Sequence, residues 1–196
     1  GWQHNLPTDQ IDAYRDYDKS FWLCCDSFHK ALKVFGSRKL DYDITDRNGL
    51  SELATRDGYL ENAYGEKYSA VYVSAIDFAS EDIADRLLEI AEKNVPIYVE
   101  HSPMLENSPS VNELLNSEKL TAVENAEQAA EDIYNRNLHD ICIHSGSAED
   151  IVYIHKVING QNRYMFINVS DKEIKACIDF RHTSDFIVYD VTADKK

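Results

Sequence analysis

Glycine and proline are scarce in this chain, with seven and four among 196 residues. No G-x-G-x-x-G and no G-x-x-x-x-G-K run occurs, so the two glycine-rich cradles for nucleotide phosphates are excluded. Basic residues are in deficit too: 20 Lys and Arg face 35 Asp and Glu, a net charge of −15. Nucleic-acid and anionic-membrane binding need clustered cations, so neither partner is expected. No apolar run approaches the ~20 residues that span a bilayer. Four cysteines, Cys24, Cys25, Cys142 and Cys177, are too few for a disulfide framework in a chain of this size. They read as buried free thiols. With no secretory leader recognisable at the start, they point to a reducing, cytoplasmic setting.

What is present is an apolar fraction of 43%, enough for a core, and one well-marked unit. Residues 68–100 read strand, helix, strand. Val71, Tyr72 and Val73 form a short β-rich run, and Val95 to Val99 a second. Between them Ser80 is an N-cap, with Glu81 and Asp82 in the first turn, where the helix dipole favours negative charge. Ile83, Leu87, Leu88, Ile90 and Ala91 make one apolar helical face. Two apolar strands joined by a helix predict a parallel pair with a right-handed crossover.

Around this unit the pattern predicts further elements. A long helix runs from Thr8 to a terminating Gly36, with Tyr14, Phe21, Phe28 and Phe35 as a core-facing aromatic stripe. Leu40 to Ile44 reads as a short strand and Leu50 to Leu53 as a short helix. Tyr59-Leu60 and Lys67-Tyr68 read as a small hairpin around Gly65. Two capping boxes, Ser110 to Glu113 and Asn125 to Gln128, each open a helix, with a small strand at Leu120 to Val123 between them. From residue 141 the pattern is all strand: 141–144, 151–158, 163–169, 174–180 and 186–191. Asn159-Gly160 supplies one hairpin turn. These signals predict an α/β domain over 1–140 and an antiparallel module, half of a β-sandwich, over 141–196.

Chemistry has few places to reside. No G-x-C-x-G elbow exists, and Cys142 and Cys177 sit in strand patterns as packed positions. His139, Cys142 and His144 are close in sequence, and His101 could join them, but the spacing matches no standard zinc pattern. Asp41, Asp43 and Asp46 suggest a calcium loop, yet the template aligned on Gly49 demands acids at Ile44 and Thr55. No metal site and no cofactor are therefore expected. Open α/β sheets hold ligands at the carboxyl ends of their strands. There the chain offers Asp77, Glu100 and His101 as candidate ligand-facing residues. An independent small α/β hydrolase would use these three. A stand-alone carbohydrate-binding or protein-interaction module would instead use an exposed aromatic row, for which Tyr153, Tyr164 and Tyr189 are the candidates.

Residues 41–100, opening DYDITDRNGLSELATRDGYL, and the tail IVYIHKVINGQNRYMFINVSDKEIKACIDF, closing VYDVTAD, together carry a family resemblance. The first segment resembles an amidotransferase-like (flavodoxin-like) accessory domain of large bacterial glycoside hydrolases of the rhamnosidase and galactosidase type. The second resembles the antiparallel module that follows it there. The resemblance spans roughly residues 20–194 and implies a flavodoxin-like, partly parallel sheet with flanking helices. It implies a non-catalytic accessory fragment that supports or shapes a catalytic barrel, and it transfers no catalytic residue. Carbohydrate would be met through the parent enzyme. In that family a first strand precedes the long helix. Without it the sheet has an open edge, which a second copy or a missing N-terminal domain would fill.

Overall fold

The computed structural model describes residues 8–76, 80–101, 115–144, 148–181 and 187–190. They form a mixed α/β structure. In chain order its elements are α1 (Thr8–Ser37), α2 (Arg47–Glu52), β1 (Ala54–Arg56), β2 (Tyr59–Glu61), β3 (Lys67–Tyr68), β4 (Val71–Val73), α3 (Glu81–Glu92), β5 (Ile97–Glu100), β6 (Thr121–Val123), α4 (Ala126–Asn135), β7 (Ile141–Ile143), β8 (Ile151–Ile158), β9 (Gln161–Asn168) and β10 (Ile178–Phe180).

The expected parallel pair is present. β5 lies between β4 and β6 and is parallel to both, with Tyr72 opposite Tyr98 and Glu100 opposite Val123. Period-2 alternation sends its side chains to two different helical layers. Ile97 and Val99 pack with Ala84, Leu87 and Ile90 of α3. Tyr98 packs on the other side with Val123 and Ala129. Tyr72 joins Ala31 and Phe35 of α1 and Ala126 and Ala130 of α4. A strand covered on both faces has no polar row, which explains the unbroken apolar run at Ile97, Tyr98 and Val99.

Local signals set the helix ends. Asn125 accepts the backbone N–H of Gln128 at 3.0 Å, so the predicted N-cap forms, while Gln128 Oε1 reaches one residue past the capping-box position and accepts the Glu124 N–H at 2.8 Å. Asp46 caps α2 by accepting from the Gly49 N–H. Ser80 is the N-cap residue of α3, through its carbonyl rather than its hydroxyl. The end of α1 departs from expectation. The left-handed residue there is Lys39 (φ 57°), not Gly36. Lys39 N–H donates to the Gly36 carbonyl at 3.2 Å and Leu40 N–H to that of Phe35 at 2.9 Å. This is a Schellman closure, and Leu40 and Phe35 make its apolar contact.

Three other expectations are corrected. Residues 40–44 form no regular strand; they pass from the α1 cap to the α2 cap as irregular chain. The aromatic stripe is core only near its C-terminal end. Phe35 is buried but Phe21 is 48% exposed, because the inward row is Ser27, Ala31 and Phe35 at four-residue spacing. Nor are the thiols buried: Cys24, Cys25 and Cys142 are half-buried and Cys177 is exposed, and none is in a disulfide. The side chain of Tyr14 and the box at Ser110 to Glu113 lie outside the described residues.

The C-terminal strands make two antiparallel pairs. β8 and β9 form an eight-residue hairpin around Asn159 and Gly160 (φ 53° and 74°), both left-handed as a type I′ turn requires. β10 pairs with β7. Of the strand expected over 174–180, only Ile178–Phe180 is formed; of that over 186–191, residues 187–189 are irregular. Tyr153, His155, Tyr164 and Phe166 share the hairpin's inward face, and Phe180 of β10 packs edge-on against Tyr164 and Phe166. The hairpin meets the α/β layers where the Tyr153 hydroxyl donates to the Lys39 carbonyl at 3.1 Å. No helix among the described residues is long and apolar enough to cross a membrane.

Candidate functional site

At the carboxyl ends of the parallel strands, β5 delivers Glu100 half-buried between layers. Its carboxylate accepts two side-chain hydrogen bonds, one from Ser27 Oγ at 2.8 Å and one from the Tyr72 hydroxyl. The same Ser27 oxygen accepts the Ala75 backbone N–H at 3.0 Å. Ser27 is buried, so α1 is tied by one hydroxyl to two successive parallel strands. Burial and the neighbouring Glu100 carboxylate push the Tyr72 phenol far above its ordinary range, so it stays protonated and donates. His101 is exposed, and its backbone N–H extends the ladder to the Val123 carbonyl at 2.7 Å. Asp77 lies outside the described residues.

Chemically, this strand end is a polar knot in which both hydrogen bonds fall on Oε2 of Glu100. A general acid or nucleophile must face a substrate. Glu100 instead faces Ser27 and Tyr72 across the sheet–helix seam. Sequence reasoning found Glu100 but missed both partners. Ser27 was signalled only by its place four residues before Ala31, on the inward row of α1.

A second cluster forms where the hairpin meets the α/β layers. Asp41 from the chain after α1, Asp140 just before β7 and His155 of β8 each offer one ligand atom, all within 4.8 Å of one another. His155 is buried, and its two ring nitrogens lie 3.1 Å from Asp140 Oδ2 and 3.0 Å from Asn162 Oδ1. Its ring stacks on Tyr164 at 4.3 Å with an 8° interplanar angle. Burial and the facing Asp140 carboxylate push Asp41 up to about 6. The residue as a whole remains exposed, so solvent screening reduces the energetic weight of that shift. For His155 burial works downward. The hydrogen bonds to Asp140 and Asn162, with the charges of Asp140 and Asp41, outweigh it and raise the imidazole. Burial and the same two carboxylates push Tyr164 up to about 12.

The histidines and cysteine noted in the sequence do not join this cluster. Cys142 Sγ of β7 and Nδ1 of His144, just past its end, lie 3.9 Å apart, and His144 Nε2 pairs with Asp179 at 2.7 Å. His139 stacks on Tyr134 at 4.3 Å. Of the tyrosines considered for sugar stacking, Tyr153 is buried, Tyr164 is half-buried under His155, and Tyr189 is exposed. Comparison with protein-family models, with curated proteins and with solved structures finds no match to this chain.

Proposed function

We propose that this chain is a non-catalytic accessory part of a carbohydrate-active enzyme, built on a flavodoxin-like sheet and serving to support or shape a catalytic barrel. The tie to carbohydrate enzymes rests on the sequence resemblance over residues 20–194. The observation that supports the non-catalytic half is the engagement of Glu100. Its Oε2 is held by Ser27 and Tyr72 at the sheet–helix seam. Its role there is to hold α1 on the sheet. The hairpin's outward face supports a docking role. Val152, Ile154, Met165 and Ile167 are exposed cross-strand neighbours there, an apolar area suited to a larger partner domain.

Two measurements test this. The purified chain is assayed on aryl rhamnosides and galactosides beside its Glu100→Gln variant. No turnover is expected from either, and turnover that Glu100→Gln abolishes would overturn the proposal. Sequencing the coding region upstream is expected to reveal a (β/α)8 barrel in the same reading frame.

A further inference from the structure

Asp41, Asp140 and His155 come from three separate segments, yet their ligand atoms converge within 4.8 Å. The hydrogen-bonded pair His155 and Asp140 also has a spacing compatible with shared ligation. Two ligands of one ion with bonds of ~2.1 Å stand ~3.0 Å apart at a right angle and ~3.4 Å apart at the tetrahedral angle. His155 Nδ1 and Asp140 Oδ2 are separated by 3.1 Å, inside that interval. The Asp41 carboxylate lies within 4.8 Å of both and is held beside them by the His155 backbone.

The surroundings of His155 add a second, independent indication. A metal-bound imidazole donates its other ring N–H to an oxygen acceptor, which fixes the tautomer and the ring plane. Asn162 Oδ1 lies 3.0 Å from Nε2 and fills that role from the neighbouring strand; Nδ1 shares its proton with Asp140, and a bound ion takes that proton's place between Nδ1 and the carboxylates. The Tyr164 ring, 4.3 Å away and nearly parallel, holds the imidazole in place. Donor chemistry sets the class of ion. One imidazole and two carboxylates suit a divalent first-row transition ion, whereas calcium prefers oxygen alone.

We propose that Asp41, Asp140 and His155 bind one divalent transition-metal ion, zinc or manganese in kind, with water completing its shell. The ion pins the β8–β9 hairpin to the segment after α1 and to the start of β7. Asn162 is a positioning residue for the imidazole.

The test is Co²⁺ titration of the full chain, read by its visible d–d bands, with Zn²⁺ competition. One equivalent is expected to bind. Asp41→Asn, at an exposed position that leaves the core intact, is expected to weaken binding more than 10-fold, and Asn162→Ala by about 10–100-fold. The control Cys142→Ser/His144→Ala is expected to bind as the wild type does. Thermal unfolding with Zn²⁺ is expected to rise for the wild type and the control but not for Asp41→Asn. Absence of Co²⁺ binding overturns the proposal. So does binding that survives Asp41→Asn, or binding that vanishes in the Cys142/His144 control.

Discussion

Replacing Ser27 by alanine removes one oxygen atom and breaks two connections. The Ala75 N–H, buried and bonded to Ser27 Oγ at 3.0 Å, loses its partner. An unpaired buried donor costs about 1–3 kcal/mol. Glu100 loses the 2.8 Å hydrogen bond from the same hydroxyl but keeps that from Tyr72. A charge-assisted bond at a half-buried carboxylate adds about 1 kcal/mol more. The expected destabilisation is therefore about 2–4 kcal/mol, a fall in Tm of about 4–16 °C for a chain of this size. Urea and thermal unfolding followed by circular dichroism measure it. Ser37→Ala serves as the control, because its exposed hydroxyl bonds only the Val34 carbonyl one turn back; it is expected to shift stability by less than about 0.5 kcal/mol. Amide exchange gives a residue-specific reading: the Ala75 N–H should lose protection in Ser27→Ala and keep it in Ser37→Ala. A Ser27→Ala variant as stable as the control, with Ala75 still protected, would refute the account of the strand end.

Other outcomes follow from the same geometry. Ile90, fully buried beneath the parallel sheet, is expected to cost about 2–5 kcal/mol as Ile90→Ala, read by the urea midpoint. Gly160→Ala meets no neighbouring atom but keeps a φ of +74°, so about 1 kcal/mol of pure backbone strain is expected, with fraying of β8–β9 in amide exchange. Asn125→Ala removes the cap of α4 and is expected to cost about 1 kcal/mol in the same unfolding assay. For pH, Asp41 has a folded value raised from 3.8 to about 6 by burial and the Asp140 carboxylate, against the opposing pull of His155 and Lys156. A raised folded pKa favours the folded state below the unfolded value, and that contribution is lost as pH rises through the folded one. With chelator present, the wild type should therefore lose stability relative to Asp41→Asn between about pH 4 and pH 6. A flat difference over that window would contradict the shift.

The parallel unit was legible because each of its signals is local. The apolar runs at 71–73 and 97–99, the acidic first turn of α3 and its single apolar face all agree. The N-cap at Asn125 and the Asn159-Gly160 turn were readable for the same reason: a few adjacent residues fix the backbone. What escaped depends on contacts distant in sequence. The polar knot joins residues 27, 72, 75 and 100, and the triad joins 41, 140 and 155. In β8 the outward row holds Val152 and Ile154 while the inward row holds Tyr153 and His155. Both rows contain apolar residues, so hydropathy could not tell the inward histidine from a surface one. The α1 cap misled because a glycine stood near the helix end, yet Lys39 takes the left-handed position. Lys39 is buried there, and its carbonyl is held by Tyr153.

That last bond has a consequence for synthesis. The Tyr153 hydroxyl and the Lys39 carbonyl are 114 residues apart. At about 5–20 residues per second, the ribosome leaves the end of α1 without its partner for roughly 6–23 s. Glu100, which holds α1 to the sheet, follows Ser27 by 73 residues and arrives well before the hairpin. The nascent chain can thus fasten its long helix to the parallel strands first. The hairpin, with its aromatic ladder, is the closing piece, added to a surface that has already formed.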